Sequence, residues 1–293
     1  MKDWGVGEID VAWRAGTLLG EGPVWLENLA RLAFVDIKGG RICLFDLVTR
    51  EGRDIACVGQ PSFIYPADRP GELIYGSNRT LRRIAGDGED TLLCEIPAPH
   101  GTRTNDAAVD PAGRLFLGMS HDAETDPIGG LYMFDGGAIR QVLDGIVVPN
   151  GPAISADGSI LYHVDSPGRT IRRYRLAADG TPIEGAVHIR IAEEDGYPDG
   201  VVLDSEGCLW VGLWHGWALR RYDPQGAMMR HISLPCACAT KLAFGGPDLR
   251  TAFITTARIG LSEADLAGQP EAGSLFAFDP GVTGLPTPSV RIG

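Results

Sequence analysis

The sequence of 293 residues predicts an all-β fold, a six-bladed β-propeller that occupies residues 1–293 as a single domain. Three observations support this prediction. Glycine (40 residues) and proline (20 residues) are spread along the whole chain, so turns are frequent everywhere. Short runs rich in β-branched and aromatic residues, such as LAFVDI, RLFLGM and CLWVGL, lie between these turns. The strongest of these runs recur at a regular interval, and no long window keeps a helical period.

Each repeat can be centred on one strongly apolar strand. The six centres are Phe34, Ile74, Phe116, Tyr162, Trp210 and Phe253. They are separated by 40, 42, 46, 48 and 43 residues. A period of about 40 to 50 residues built from short strands is typical of a propeller, in which each repeat forms one four-stranded blade. A pair of β-sandwiches is the alternative, but it would not explain one period kept across the chain.

The ring of blades must close, because a single blade exposes both faces of its sheet until its neighbours cover them. The N-terminal segment, residues 8–14, has the composition of a strand and lies outside the six repeats. We therefore expect it to pair into the last blade, beside residues 289–292. This pairing would join the two ends of the chain in one sheet.

Composition and charge exclude several classes of partner. The net charge is −12, from 26 basic and 38 acidic residues, and no block of Lys or Arg could follow a phosphate backbone, so we expect no nucleic-acid partner. The six cysteines have no metal-site spacing and favour a reducing compartment. The chain has no export signal at its start and no apolar run of about 18 residues, which predicts a cytoplasmic protein without a membrane partner. We expect a monomer or a weak dimer.

Four polar residues recur ahead of the apolar strands. Asn105, Asn150 and Asp199 each precede a turn glycine by eight positions, and Glu21 has a similar place in looser register. If the repeats are equivalent, these side chains reach one mouth of the central channel. Blade two offers Phe63 or Ile64 instead, and blade six offers Thr240 and Lys241. The alternative is that Asn and Asp before Gly are ordinary turn residues that bind their own backbone.

The two carboxylates and an amide oxygen of this set suit a divalent cation, because they are hard oxygen donors. Ca²⁺, Mg²⁺, Mn²⁺, Fe²⁺ and, less typically, Zn²⁺ are all compatible with such donors. Since only some blades contribute, one side of the ion would stay open for a substrate.

The same segments resemble a known family. The motifs LGEGPVW, RTNDAAVDPAGRLFLG, NGPAISADGSILYHVDS and YPDGVVLDSEGCLWVGLW are similar to those of the SMP-30/gluconolactonase/regucalcin family of six-bladed propeller lactonases. The resemblance covers residues 19–258. It is strongest toward bacterial sugar-acid lactonases of the xylonolactonase and arabinolactonase type, through the HD after RLFLGM and through GGPDLRTAFITTAR.

The resemblance implies a role for each site residue. The metal ligands would be Glu21, Asn150 and Asp199, and the substrate-binding residues would be Arg103 and Asn105. Animal members of the family have a further glutamate after the third-blade strand, where this chain reads GMSHDAE; we expect His121 or Asp122 to take its place. The implied substrate is a pentono- or hexono-lactone, such as xylonolactone, arabinolactone or gluconolactone, which is opened to the aldonic acid.

The expected mechanism is metal-assisted hydrolysis, with Asp199 as the general base. In the alternative mechanism Asp199 is a ligand only, and the cation alone activates the water. A serine hydrolase is not expected, because the sequence lacks a G-x-S-x-G elbow. Two other functions stay open: a non-catalytic calcium-binding or scaffold propeller, and a hydrolase of another lactone or ester. The latter would need a more apolar mouth than Arg103, Asn105, His121 and Asp122 provide.

Overall fold

Each predicted repeat folds as one four-stranded antiparallel sheet in the computed structural model, which describes residues 7–293. The chain begins with β1 (Asp10–Trp13), which joins blade six, and continues with β2 (Gly20–Leu26), β3 (Arg31–Asp36), β4 (Arg41–Asp46) and β5 (Gly52–Ala56) in blade one, and β6 (Pro61–Pro66), β7 (Leu73–Ser77), β8 (Thr80–Ile84) and β9 (Asp90–Glu95) in blade two. Blade three contains β10 (Thr102–Val109), β11 (Leu115–His121), β12 (Gly129–Asp135) and β13 (Ala138–Ile146), and blade four contains β14 (Pro149–Ile154), β15 (Ile160–Asp165), β16 (Thr170–Leu176) and β17 (Pro182–Arg190). Blade five contains β18 (Tyr197–Leu203), β19 (Leu209–Trp214), β20 (Ala218–Tyr222) and β21 (Met228–Ser233), and blade six contains β22 (Ala239–Gly245), β23 (Thr251–Thr256) and β24 (Leu275–Phe278). The predicted six-bladed propeller is confirmed.

Burial decreases from the channel outward in each blade. The innermost strands β2, β10 and β22 are buried along their whole length, whereas the outermost strands β13 and β21 are mostly exposed. The predicted repeat centres all lie on the second strand of a blade, and four of them, Phe34, Phe116, Trp210 and Phe253, are among the largest fully buried side chains. The core therefore consists of aromatic and branched side chains packed between neighbouring sheets.

The turn between the first two strands of a blade follows from the D-x-x-G pattern. In blade three, Asp110 Oδ1 accepts hydrogen bonds from the backbone N–H groups of Ala112 and Arg114, each at 2.9 Å. Gly113 has a φ of 83°, a left-handed conformation that glycine adopts without strain. Asp110 Oδ2 then pairs with Arg114 Nε at 2.6 Å, so one buried carboxylate organises the whole turn.

The N-terminal strand closes the ring, as predicted, but its partner differs from the expected one. β1 pairs antiparallel with β24, whose outer edge would otherwise be unpaired. Residues 289–292 lie elsewhere: Val290 bridges Ala67 in parallel, and the Arg291 N–H donates to Gly113 O at 2.8 Å. The expected pairing with residues 289–292 is wrong, because the proline-rich segment before them leaves blade six.

This C-terminal segment crosses the far mouth of the channel. It is held to blade five by a bridge between Gly284 and Asp204 and to blade two by Val290. Residues 285–288 close an apolar cavity of about 260 Å³. The remaining regular elements are short: 3₁₀ helices at Glu27–Leu29 and Glu193–Asp195, and one α-helix, α1 (Glu263–Gly268), capped by Ser262. No helix within residues 7–293 has the length and apolar character to cross a bilayer.

His163 on β15 makes stability dependent on pH. Its side chain is buried, and its Nε2 has no hydrogen-bond partner among residues 7–293. Burial first, and then the charge of Arg172, lower the pKa of His163 to about 4. Between about pH 6.5 and pH 4 the unfolded chain therefore binds more protons than the folded one, so the free energy of unfolding falls as the pH falls.

We expect this histidine to remove about 2–3 kcal/mol of stability between pH 7 and pH 4.5. Urea unfolding at both pH values should show a smaller acid loss for His163→Leu than for the parent. The exposed His231→Leu serves as the control and should lose as much as the parent. Equal acid losses in parent and His163→Leu would contradict the assignment.

Candidate functional site

The polar residues of the repeat pattern lie on the innermost strands, at breaks in strand pairing. Glu21 is on β2, Asn105 on β10, Asn150 on β14 and Asp199 on β18. The register with the next strand shifts beside each of them, between Glu21 and Val24, for example, and between Asn150 and Ala153. Such bulges re-aim side chains. The turn-residue alternative is wrong, because these residues belong to strands.

A glycine beside the bulge allows two innermost strands to approach closely. Gly151, directly after Asn150, has a φ of 29°, and a Cβ atom there would lie 2.4 Å from the backbone nitrogen of Val201. No other residue fits this gap without displacing β18. The Asn-Gly sequence thus serves to bring β14 against β18, which carries Asp199.

One cavity of about 490 Å³ contains all four of these side chains. Its other polar lining residues are Lys38, Arg103, Glu124 and Ser166. Its apolar lining residues are Leu19, Ile37, Val148, Pro167, Tyr197, Pro198, Trp214 and Ile259. The lining therefore offers both charged and polar groups and apolar surface to a ligand.

Glu21 and Asp199 form a buried carboxyl pair. Each residue is only 6% exposed, and both side chains line the same cavity. Burial raises the pKa of Asp199 well above its ordinary value, and the charges of Glu21 and Asp106 raise it further. Burial and then Asp106 likewise raise the pKa of Glu21. Two carboxylates withdrawn from water repel each other, so the pair favours a bound positive charge.

The amide of Asn150 is oriented by its neighbours. Its Nδ2 donates to Ser166 Oγ at 3.0 Å, and Ser166 Oγ donates to Pro198 O at 2.7 Å. Asn150 Oδ1 accepts from Asn105 Nδ2 at 2.5 Å and retains a second lone pair. The oxygen of this amide is therefore held beside Asn105, where it can serve as a ligand.

These donors fit a divalent cation. No group of three or more His, Cys, Asp or Glu side chains in the described part of the chain forms a metal cluster, but two carboxylates and a fixed amide oxygen supply three hard ligands. The charge of the Lys241 ammonium lowers the pKa of Glu21 and of Asp199, but burial and Asp106 raise both pKa values by more. Lys241 Nζ lies 2.6 Å from Asp106 Oδ1 and 3.2 Å from Ala107 O.

Arg103 is held in place from two sides. Its NH1 donates to Asn105 Oδ1 at 2.7 Å, and its NH2 donates to Glu124 Oε1 at 2.6 Å. Arg103 is 8% exposed, whereas about half of the Glu124 side chain is exposed. The predicted pair Arg103 and Asn105 thus faces the cavity together with Glu124, for which the sequence pattern gives no signal.

His121 and Asp122, the expected sugar contacts, do not line this cavity. His121 Nδ1 instead accepts from the Asp126 N–H at 2.9 Å, and Asp122 lines a neighbouring groove. The reason is a turn: the Glu124 N–H donates to His121 O at 3.0 Å, and Glu124 has a φ of 57°. This turn directs the Glu124 carboxylate back toward Arg103, so Glu124 and not His121 or Asp122 contacts Arg103 in the cavity.

The chain is similar to one family model, to several known proteins and to solved structures. Residues 19–258 match the family model described as "SMP-30/Gluconolactonase/LRE-like region", the range that the sequence motifs indicated. A pentonolactonase of Haloferax volcanii is 33% identical over 94% of this chain and 96% of its own. A 6-deoxy-6-sulfogluconolactonase of Pseudomonas putida is 34% identical over 94% and 96%. The crystal structure of a calcium-binding protein, regucalcin, from Agrobacterium tumefaciens superposes with a TM-score of 0.93 at 25% identity and covers both chains completely.

Proposed function

Since the chain belongs to the SMP-30/gluconolactonase/LRE-like family, we propose that it hydrolyses a sugar aldonolactone to the aldonic acid with the help of one divalent cation. The observation that carries this proposal is the buried carboxyl pair of Glu21 and Asp199 beside the fixed amide of Asn150. A propeller used only as a scaffold has no need for two acids withdrawn from water at its channel mouth.

Glu21, Asn150 and Asp199 would hold the cation. When bound, it would polarise the lactone carbonyl as a Lewis acid and lower the pKa of a nearby water. Its charge would also relieve the repulsion that raises the pKa values of the two acids. The oxygen-only donor set is compatible with Ca²⁺, Mg²⁺ or Mn²⁺ and leaves the choice among them to experiment.

The chain's own side chains would perform the remaining steps. Asp199 would accept a proton from the attacking water as its oxygen bonds to the carbonyl carbon. The ring C–O bond then breaks, and the proton passes to the leaving ring oxygen, which becomes a hydroxyl group. Arg103 and Asn105 would donate hydrogen bonds to the ester and hydroxyl oxygens of the sugar, and Glu124 would orient the Arg103 guanidinium.

The apolar part of the cavity lining favours a second candidate function. Tyr197 and Trp214 can pack against the C–H face of a sugar ring, but with Leu19 and Ile259 they can also accept an alkyl group. A lactone that carries a short alkyl substituent is therefore the alternative substrate class. From the sequence, such a substrate would need a more apolar mouth than Arg103, Asn105, His121 and Asp122 provide, and these lining residues supply apolar surface.

A metal-replacement assay tests the proposed function. The chelator-stripped protein should hydrolyse pentono- and hexono-lactones at least about 100-fold more slowly than the protein reloaded with its preferred cation, measured by acid release. Single-metal addition identifies that cation, and an alkyl lactone in the same panel tests the second candidate. The protein would instead be a non-catalytic calcium-binding protein if it binds the cation but releases acid only at the spontaneous rate with every lactone and cation.

A further inference from the structure

A second, polar groove adjoins the proposed lactone cavity. It has a volume of about 640 Å³, and none of its lining residues has an apolar side chain. Lys38 and Arg103 line both spaces, so the groove continues directly from the cavity. A substrate whose ester lies beside Asp199 could therefore extend a substituent past Arg103 into this groove.

The groove contains cations without matching carboxylates. Neither Lys38 nor Arg79 forms an ion pair within residues 7–293, and Lys38 is exposed. The acidic member of the lining is Asp122, whereas Glu124 is engaged with Arg103. The chain as a whole carries a net charge of −12. Two uncompensated cations beside the proposed site thus make this groove locally attractive to anions on a molecule that otherwise repels them.

Two contacts hold the guanidinium of Arg79 in one orientation. Its NH2 donates to Ala98 O at 2.5 Å, and its NH1 lies 3.1 Å from His100 Nδ1. A guanidinium can only donate, so Nδ1 of His100 accepts and its Nε2 carries a proton that it can donate. The fork of Arg79 is therefore positioned before a ligand arrives, which lowers the entropy cost of binding an oxyanion.

We propose that Lys38, Arg79 and His100 bind a terminal anionic group of the substrate, a phosphate, sulfonate or carboxylate at the end of the sugar remote from the ester. This inference rests on the proposed lactonase function and narrows its substrate class to anionic sugar lactones. Guanidinium and ammonium groups recognise these oxyanions through charge-assisted hydrogen bonds, and a neutral terminal hydroxyl would gain much less.

The test compares a neutral lactone with its anionic counterparts. The substrates are glucono-1,5-lactone, its 6-phosphate, its 6-sulfonate and the corresponding 6-carboxylate, each assayed with the metal-loaded protein. We expect kcat/KM to be about tenfold higher for at least one anionic lactone than for the neutral one, and this preference should decline with added salt. Comparison of the three anions identifies the chemical group that the groove prefers.

Single substitutions test which groove residues are responsible for the preference for an anionic lactone. Arg79→Met should reduce kcat/KM for the preferred anionic lactone about tenfold, mainly through KM, and leave the neutral lactone unchanged. Lys38 also lines the lactone cavity, so Lys38→Met should reduce kcat/KM for the anionic lactone about tenfold more than for the neutral one. Arg79→Lys retains the charge but loses the fork and should give a smaller reduction. Arg53→Met removes an exposed cation from the outer strand of blade one and should change neither substrate.

The outcomes separate this inference from the function on which it rests. The anion site alone is overturned if the neutral lactone is hydrolysed and no anionic lactone is preferred. It is also overturned if Lys38→Met and Arg79→Met leave a preference for the anionic lactone intact. If no lactone is hydrolysed, the proposed function fails, and calorimetric titration with 6-phosphogluconate still tests the groove. Binding that Lys38→Met weakens would then support the anion site, and absence of binding would overturn it.

Discussion

Replacement of Asp199 by Asn is expected to reduce cation-dependent lactone hydrolysis by about 1,000-fold or more. The substitution keeps the shape of the side chain but removes a charged ligand and the proposed base in one step. Glu21→Gln removes only a ligand, so it should weaken cation binding and lower turnover at a fixed cation concentration. Acid-release kinetics over a range of cation concentrations would measure both effects.

Asp199→Asn should also stabilise the metal-free protein. The raised pKa values of Glu21 and Asp199 indicate that burial and mutual repulsion cost free energy when no cation is bound. Neutralisation of one member should therefore raise the free energy of unfolding at neutral pH by about 2 kcal/mol. Asp144→Asn, on the exposed outer strand of blade three, should change neither stability nor turnover. An Asp199→Asn protein that matches the parent's turnover at every cation concentration would refute the mechanism.

The overall fold could be predicted because the information is local and repeated. Each blade buries its second strand on both faces, so Phe116 and Trp210 mark their repeats without any knowledge of distant contacts. Equal spacing then implied that Asn105, Asn150 and Asp199 share one end of the channel. The structure brings these side chains into one cavity, and their catalytic and metal-binding roles stay proposals.

The parts that could not be predicted depend on turns and on contacts between blades. Glu124 faces Arg103 only because the turn after β11 adopts a left-handed conformation, which the sequence HDAE does not specify. The bulges also break the alternation of strand side chains, so the sequence could not decide whether Thr240 or Lys241 faces the channel. Asp106 lies next to Asn105, yet its partner is 135 positions away in blade six.

Loss of the buried ion pair between Lys241 and Asp106 should strongly lower the free energy of unfolding. Lys241 is 4% exposed and Asp106 is 3% exposed, and Asp106 Oδ2 has no hydrogen-bond partner among the described residues. Lys241→Met keeps an unbranched side chain of similar length, so the close packing of this stem against Gly200 should persist. It leaves Asp106 buried without its cation, however, beside Glu21 and Asp199. We expect the metal-free protein to lose about 3–5 kcal/mol of unfolding free energy, measured by urea denaturation.

Two further variants separate charge from packing. Asp106→Asn combined with Lys241→Met removes both charges of the pair, so the double variant should recover most of the stability that Lys241→Met loses. Arg291→Met breaks an exposed ion pair with Asp135 and should cost less than about 1 kcal/mol. Because Lys241→Met adds an uncompensated negative charge next to the proposed ligands, a divalent cation should also restore more stability to it than to the parent. A double variant as unstable as Lys241→Met would show that packing, rather than charge, accounts for the loss.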